Sequence, residues 1–415
     1  MELTSATLPG IALTLIHAGR APTRSALTSQ LGVTRATIGA ITGELRDLGL
    51  IVVDPGSGSG PQSSGPQSSG PQSGGQQGRP SHRLLADPSG PVALAAQVHP
   101  DGFAVALVGL GGTVVASRAE NGPVSSDPGR ALAPVAAAAA ALLRESDRRC
   151  VGSAVAVPAA VSRPGGEAVR ALYIGWPVGA PIRDMFAAEL ARQGVRDPRG
   201  GPVRCEAVND VNALALAEHR HGAGRDAAYL LVVSAERRGV GGALVQRGAL
   251  YTGSNGLAME AGHVSADPAG RPCLCGNRGC LSVEADAERF LDEAGRLPSP
   301  GTPVLDEAIA VLRAGYPSDP RVRAAADAIA ARLGLGLAGL INVVNPDLVL
   351  LGGMYRELLA VAPERLREAV TRRSPWGLGA GIPIESCVLG DAALIGAAEV
   401  AWQPVLDNPA LLRPS

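Results

Sequence analysis

One histidine and three cysteines lie within a stretch of eighteen residues: His263, Cys273, Cys275 and Cys280. One imidazole and three thiolates make a closed tetrahedral ligand set of the kind that holds structural zinc. Two alternatives stay open at this point. The cysteines could be incidental thiols in a glycine-rich loop, or two of them could form a strained disulfide. The spacing predicts a structural Zn²⁺ site, because the chain shows no secretory signal and its other three cysteines stand singly.

A second group of polar residues could bind a hydroxyl-rich ligand. Asn209 and Asp210 follow a predicted strand and open a predicted helix. A carboxylate at a strand end can accept a proton from a bound hydroxyl, and an amide can both donate and accept hydrogen bonds. The same pair could instead only cap the helix. Glu260 could accept from a ligand hydroxyl or orient His263.

The N-terminal segment predicts a DNA-binding unit. Predicted helices at 24–31 and 35–48 each begin after a threonine and end at a glycine, which is typical of a helix-turn-helix. Three side chains of the second helix would face the major groove: Thr34, Arg35 and Thr37. The alternative is a small helical dimerisation or capping module.

Residues 50–53 and 81–86 are candidate strands of a wing. Between them, residues 54–77 repeat a Ser-Ser-Gly-Pro-Gln unit, a composition that cannot bury a core and is either an insertion in the wing or a linker. Arg79 follows the repeat and could reach a minor groove. The predicted partner of this segment is an operator in double-stranded DNA.

The rest of the chain alternates strands and helices, which predicts an α/β domain. A chain of 415 residues is too long for one core. The net charge of −1 confines any nucleic-acid binding to a local surface. We find no signal peptide and no long apolar span, so we expect a cytoplasmic protein without a membrane partner.

Several segments together resemble the ROK family (repressors, open reading frames, sugar kinases) of the actin-like superfamily. The resemblance rests first on an Asn-Asp-x-Asn segment at 209–212 and on a Glu-x-Gly-His segment at 260–263 that is followed by Cys273, Cys275 and Cys280. The segment 345–353 is similar to one that family kinases place near adenosine. The helix-turn-helix followed by Gly-Arg-Pro at 78–80 resembles the repressors of the family.

The resemblance implies a winged helix-turn-helix joined to a two-lobed, actin-like (ribonuclease H-like) ROK domain. The DNA-binding domain would span 1–86 and the ROK domain 87–405, with a small lobe at about 87–206 plus 390–405 and a large lobe at about 207–389. The family pattern makes Asp210 the equivalent of the kinase base. It also places four residues against the sugar, with His263 bound to zinc as well: Asn209, Asp210, Glu260 and His263.

The sequence departs from the family's kinases at four places. The first phosphate turn, 98–102, lacks the paired glycines and the threonine, and the second, 237–242, opens with two arginines. Ser282 stands where the family usually has a glutamate, and Tyr173 where it has an asparagine. We therefore expect no kinase activity and an unusual sugar or sugar derivative as ligand, or a lost ligand site.

These observations favour a sugar-responsive transcriptional regulator that represses carbohydrate-metabolism genes as a homodimer or dimer of dimers. An ATP-dependent sugar kinase with a DNA-binding appendage is the alternative from a different class. A third reading is a regulator whose ROK domain is only a zinc-containing dimerisation scaffold.

Overall fold

The computed structural model describes residues 6–54, 82–375 and 381–413. The chain forms two compact units. The first contains Met1–Pro91, Gly109–Gly111 and Gln403–Ser415, and the second contains Val92–Val108 and Gly112–Trp402. The repeat beyond Asp54 and the predicted minor-groove residue Arg79 lie outside the described residues.

The first unit begins with three helices and a pair of strands. Local residues determine where these elements begin and end. The elements are α1 (Leu8–His17), α2 (Arg24–Leu31), α3 (Arg35–Asp47), β1 (Ile51–Asp54) and β2 (Arg83–Ala86). Thr23 and Thr34 cap α2 and α3, and α2 ends at Gly32 in the left-handed conformation (φ 65°). The predicted helices and their caps are confirmed.

The three helices and the strand pair of the first unit share one core. β1 and β2 pair in antiparallel register, with Ile51 opposite Ala86. Buried side chains from α1, α2, α3 and both strands fill the interior: Leu13, Leu27, Ile38, Ile41, Leu45, Ile51 and Leu84. The C-terminal segment belongs to this unit too, since the Thr7 N–H donates to the Asp407 carbonyl (3.0 Å) and Arg413 contacts Glu44 (2.7 Å).

The second unit opens with seven strands and three helices. The strands are β3 (Val92–His99), β4 (Gly102–Gly109), β5 (Val114–Asn121), β6 (Cys150–Val157), β7 (Ala160–Val161), β8 (Ala168–Arg170) and β9 (Cys205–Asn209). The helices are α4 (Pro128–Ser146), α5 (Ile182–Arg192) and α6 (Asp210–His221). Five strands form a mixed sheet in the order β5-β4-β3-β6-β9, and β7 pairs with β8.

The remainder of the second unit forms a second mixed sheet and its helices. Its strands are β10 (Tyr229–Ala235), β11 (Gly241–Gln246), β12 (Ala249–Leu250), β13 (Leu348–Gly353) and β14 (Ile384–Ser386). Its helices are α7 (Leu281–Glu284), α8 (Ala287–Glu293), α9 (Val304–Gly315), α10 (Pro320–Val344), α11 (Met354–Val361), α12 (Pro363–Thr371) and α13 (Ala392–Asp407).

The two sheets have the same plan. The order β12-β11-β10-β13-β14 repeats that of the first sheet, with three antiparallel strands followed by two parallel ones. Parallel strands bring their carboxyl ends to one edge of a sheet, where ligands of open α/β sheets bind. The predicted α/β class is confirmed, and the duplicated plan positions two such edges in one unit.

Local signals set the bounds of three helices in this part of the chain. Helices α11 and α12 are separate, because Pro363 lacks the N–H that a continuous helix needs and Ala362 before it leaves the helical region (φ −133°). Helix α8 begins after Asp286, which caps it by accepting from the Arg289 N–H.

The helix α10 is, within the described ranges, the one helix whose length and composition would allow it to cross a membrane. Its apolar side chains, including Leu333, Leu337 and Ile341, are fully buried in the core beneath the second sheet. This burial is typical of the central helix of a folded domain.

Candidate functional site

The four predicted metal ligands come together in space. Their ligand atoms all lie within 4.8 Å of one another. Cys275 Sγ lies 3.7 Å from Cys280 Sγ, and Cys273 Sγ lies 3.7 Å from His263 Nδ1. Around a tetrahedral zinc with bonds of about 2.3 Å, sulfur ligands are separated by about 3.8 Å. The cysteines are free, which excludes the disulfide alternative, and the four residues form a set that can hold a metal ion.

Backbone hydrogen bonds shape the cysteine loop. The Cys273 N–H donates to the Asn277 carbonyl (2.8 Å), and the Gly276 N–H donates to the Cys273 carbonyl (3.0 Å). Gly276 has φ 99°, a conformation that a side chain would strain. The tight hairpin turns two thiols toward the same point.

Glu284 anchors this loop from outside. Its side chain is buried, and its Oε1 accepts the Arg271 backbone N–H (2.6 Å). The other carboxylate oxygen lies 3.8 Å from Arg289 and 3.9 Å from Arg332, which both also pair with Glu293 (2.7 and 2.8 Å). Glu284 therefore holds the segment between His263 and Cys273. It does not replace the glutamate that the family usually has at the position of Ser282.

Ser282 connects the cysteine loop to the turn between β10 and β11. It is buried; its Oγ accepts the Val240 N–H (3.1 Å), and its hydroxyl donates to the Val240 carbonyl (3.2 Å). Gly262 packs so closely on this turn that a Cβ would lie 1.8 Å from the Val240 oxygen. The segment that carries the candidate metal ligands and the turn at 237–242 thus pack together as one structure.

A cleft of about 70 Å³ lies beside this structure, at the carboxyl ends of β6, β9 and β10. All four predicted sugar contacts line it: Asn209, Asp210, Glu260 and His263. Tyr173 and Ser282, the two departures from the family pattern, line the same cleft. The structure therefore brings these predicted residues together around one small space.

Asn209 uses its side chain to cap α6. Its Oδ1 accepts from the N–H groups of Val211 and Asn212 (both 3.0 Å), and its Nδ2 donates to the Ala159 carbonyl (3.2 Å). The Asn209 amide also donates to Asp210 Oδ1 (3.1 Å). Asn209 thus performs the helix-capping role that the sequence left open. Its amide also orients the neighbouring Asp210.

Asp210 has an unusual proton affinity. Burial, together with the nearby carboxylates of Glu236 and Glu260, raises its pKa to about 7 against the lowering effect of the Val211 N–H. A carboxyl group with a pKa near neutrality can accept or release a proton at physiological pH.

Glu236 is a cleft residue that the sequence interpretation missed. It follows β10 directly, lines the cleft, and accepts a hydrogen bond from the Ser234 hydroxyl. Burial raises its pKa as well. No family motif marks this position; its placement right after a buried strand, at an edge where ligands bind, was the available signal.

The two turns that cradle phosphate in family kinases contact each other directly. Arg237, from the turn after β10, lies with its Nη1 3.6 Å from Asp101 Oδ2 in the turn after β3. His99 is buried beside them, its Nδ1 has no partner within the described ranges, and burial together with the charge of Arg237 lowers its pKa to about 4. An internal ion pair thus joins the two turns.

The predicted DNA contacts lie in the first unit. Thr34 and Arg35 are exposed at the start of α3. Thr34 also caps the helix by accepting the Thr37 N–H (3.2 Å), and the two threonine hydroxyls lie 2.9 Å apart. Arg35 is therefore an exposed cation at the N-terminus of α3, which follows α2 after a short turn.

Comparison with known proteins identifies the family. The model of the ROK family matches residues 100–403. A glucokinase of Thermotoga maritima is 32% identical over 203 residues, which cover 46% of this chain and 64% of that protein. The DNA-binding transcriptional dual regulator NagC of Escherichia coli is 27% identical over 255 residues, covering 55% and 63%. The chain thus spans just under two thirds of the length of these relatives.

A solved structure extends the likeness in fold to nearly the whole chain. A ROK family transcriptional regulator, a homologue of the E. coli MLC protein, superposes with a TM-score of 0.73 over 97% of both chains at 22% identity. The family model covers well over half of the sequence. The chain belongs to the ROK family.

Proposed function

We propose that this protein is a sugar-responsive transcriptional regulator that binds operator DNA and represses carbohydrate-metabolism genes. The observation that carries the proposal is the helix pair in the first unit. A short α2, a turn at Gly32 and an α3 capped by Thr34 with Arg35 exposed fit a helix-turn-helix, and β1 with β2 fits its wing. The regulators among its relatives support the same assignment.

The proposed mode of DNA binding follows from this motif. Thr34, Arg35 and Thr37 enter the major groove, and Arg79, outside the described residues, reaches the adjacent minor groove. A homodimer or dimer of dimers in the cytoplasm binds a pseudo-palindrome with half-sites about one helical turn, or a multiple of it, apart. Domain boundaries near 86 and 405 are part of the same proposal.

The ROK domain acts as the sensor. A sugar or sugar derivative binds in the cleft near Asn209, Asp210, Glu260 and His263, and changes the closure of the two lobes. The metal is zinc, held by His263 and the three cysteines, and it supplies a cross-link that shapes the loop without taking part in chemistry. The hydrogen bonds between the Ser282 hydroxyl and the Val240 backbone would transmit the order of this loop to the cleft.

A sugar kinase is the competing function, because glucokinases are among the relatives and Asp210 could serve as base. Two features weigh against phosphoryl transfer. Kinases need preorganised donors around the transferred phosphate. Here Arg237 is paired with Asp101, and the Glu236 carboxylate adjoins the turn and would repel phosphate oxygens.

Selection of genomic DNA fragments by the purified full-length chain tests the proposal. We expect enrichment of an inverted repeat upstream of carbohydrate genes, and loss of enrichment with Arg35→Ala. Sugar-dependent ADP production that Asp210→Asn abolishes, without any DNA selection, would favour the kinase. DNA selection that no sugar alters would favour a regulator whose ROK domain is only a zinc-containing dimerisation scaffold.

A further inference from the structure

Helix α6 begins at the cleft, and helix α13 ends in the first unit. Asp210 is the first residue of α6 and lines the cleft, and the Asn209 side chain caps the same end of the helix. The part of α13 up to Trp402 belongs to the second unit, and the part from Gln403 onward belongs to the first. A movement at the cleft can therefore reach the first unit along the chain itself, provided that α6 and α13 move together.

The backbones of α6 and α13 are in direct contact. A Cβ on Gly396 would lie 1.7 Å from the Ala213 carbonyl oxygen, so only a glycine fits at this point. The carboxylate of Glu218, also in α6, is buried and accepts the N–H groups of Val388 and Leu389 (2.7 and 2.8 Å), shortly before α13 begins. These two sites attach the first part of α13 to α6.

A buried ion pair attaches the C-terminal end of α6 to the middle of α13. The carboxylate of Glu399 in α13 is buried and contacts both Arg220 and His221, the last two residues of α6. The His221 Nε2 lies 2.7 Å from one Glu399 oxygen, and Arg220 contacts the other. A shift of α13 against α6 would separate a buried carboxylate from its partners, which is strongly unfavourable. The two helices are therefore held as one body.

The last turn of α13 supports the first helix of the chain. The Asp407 carbonyl accepts both the N–H (3.0 Å) and the hydroxyl (3.1 Å) of Thr7, the residue that caps α1. A Cβ on Gly10 would lie 2.2 Å from the same carbonyl oxygen. Because Leu13 of α1 is buried in the core that α1 shares with α2 and α3, a displacement of this turn would displace the predicted helix-turn-helix.

From these attachments we propose, resting on the regulator function above, that α6 and α13 are the coupling element through which occupancy of the cleft controls DNA binding. A ligand that contacts Asp210 shifts α6, α13 moves with it, and the last turn of α13 shifts α1 together with α2 and α3. Glu399 is the positioning residue of this element. Coupling between two sites is reciprocal, so DNA binding must in turn affect α6.

Hydrogen–deuterium exchange of the full-length protein, with and without a duplex recovered by selection, tests the proposal from the DNA side. We expect the duplex to change the amide exchange rates of α6 and α13 about fivefold or more, the lower end of common allosteric couplings. Glu399→Gln keeps the size of the side chain but removes the charge that holds Arg220. This variant should bind the duplex about as tightly as the wild type, while the response of α6 falls by more than half. A merely structural role would lower the Tm and leave that response unchanged.

Glu364→Gln is the matched control, because Glu364 is an exposed acid of α12. It should keep the wild-type response. If Glu399→Gln does not fold, Arg220→Gln gives the same comparison, since Glu399 then keeps His221 as a partner. The proposal is overturned if the duplex leaves exchange in α6 unchanged, or if the folded variant responds as the wild type does. Failure to recover any duplex would instead refute the regulator function.

Discussion

Replacing Asp210 by asparagine should stabilise the protein above neutral pH. The folded protein raises the pKa of this carboxyl from 3.8 to about 7, chiefly by burial. Between those values the folded chain holds a proton that the unfolded chain has released, so the free energy of unfolding falls as the pH rises through this window. Above pH 7 the full cost of the buried charge is present, and asparagine removes it.

The size of the effect follows from the shift. About three pKa units correspond to about 4 kcal/mol. Asp210 is only half-buried, so water in the cleft screens its charge, and we expect about 2 kcal/mol, or about 4 °C in the Tm of a unit of this size. Asparagine keeps an Oδ1 that can still accept from Asn209 and Val211, so the substitution changes the charge with little loss of hydrogen bonding.

Scanning calorimetry without added sugar at pH 8 and pH 5 measures the difference. Asp210→Asn should raise the Tm at pH 8, and less than half of that gain should remain at pH 5, where the folded carboxyl is already protonated. Asp226→Asn is the control, because Asp226 is an exposed acid in the loop that follows α6. An equal gain at both pH values, or a lower Tm at pH 8, would refute the assigned proton affinity.

Three further changes probe the rest of the structure. Glu284→Ala should weaken zinc retention against a competing chelator about tenfold, because Arg271 loses its anchor; unchanged retention would show that the carboxylate has no part in holding the loop. Gly239→Ala should destabilise the fold by about 1–3 kcal/mol in thermal unfolding, since its Cβ meets Tyr173 and its φ is 72°, and a neutral result would contradict the packing. Zinc removal should expose the loop 264–280 to proteolysis, whereas an unchanged cleavage pattern would argue against a structural metal.

The elements that the sequence predicted best are those with local signals. Thr23 and Gly32 mark both ends of α2, because a capping hydroxyl and a left-handed glycine act within one helical turn. The clustering of the four candidate metal ligands could also be predicted, because four residues within eighteen positions need only one loop to bring them together.

Contacts between distant segments could not be predicted in the same way. The sheet order depends on pairings such as Leu230 with Leu348, which no local pattern encodes. The pairing of Arg237 with Asp101 likewise joins two turns far apart in sequence. Glu236 has no motif, and its role in raising the pKa of Asp210 becomes visible only when both carboxyl groups lie in one cleft.

The ratio of affinities for specific and scrambled DNA decides whether the protein is a regulator. Fluorescence anisotropy at about 0.15 M salt would titrate the full-length chain onto a duplex recovered by selection and onto a scrambled duplex of equal composition. We predict at least a thousandfold preference for the selected duplex, as for specific DNA-binding proteins in general, and a large loss of that preference with Arg35→Ala. Equal, weak binding to both duplexes that disappears with modest salt would contradict a regulatory function.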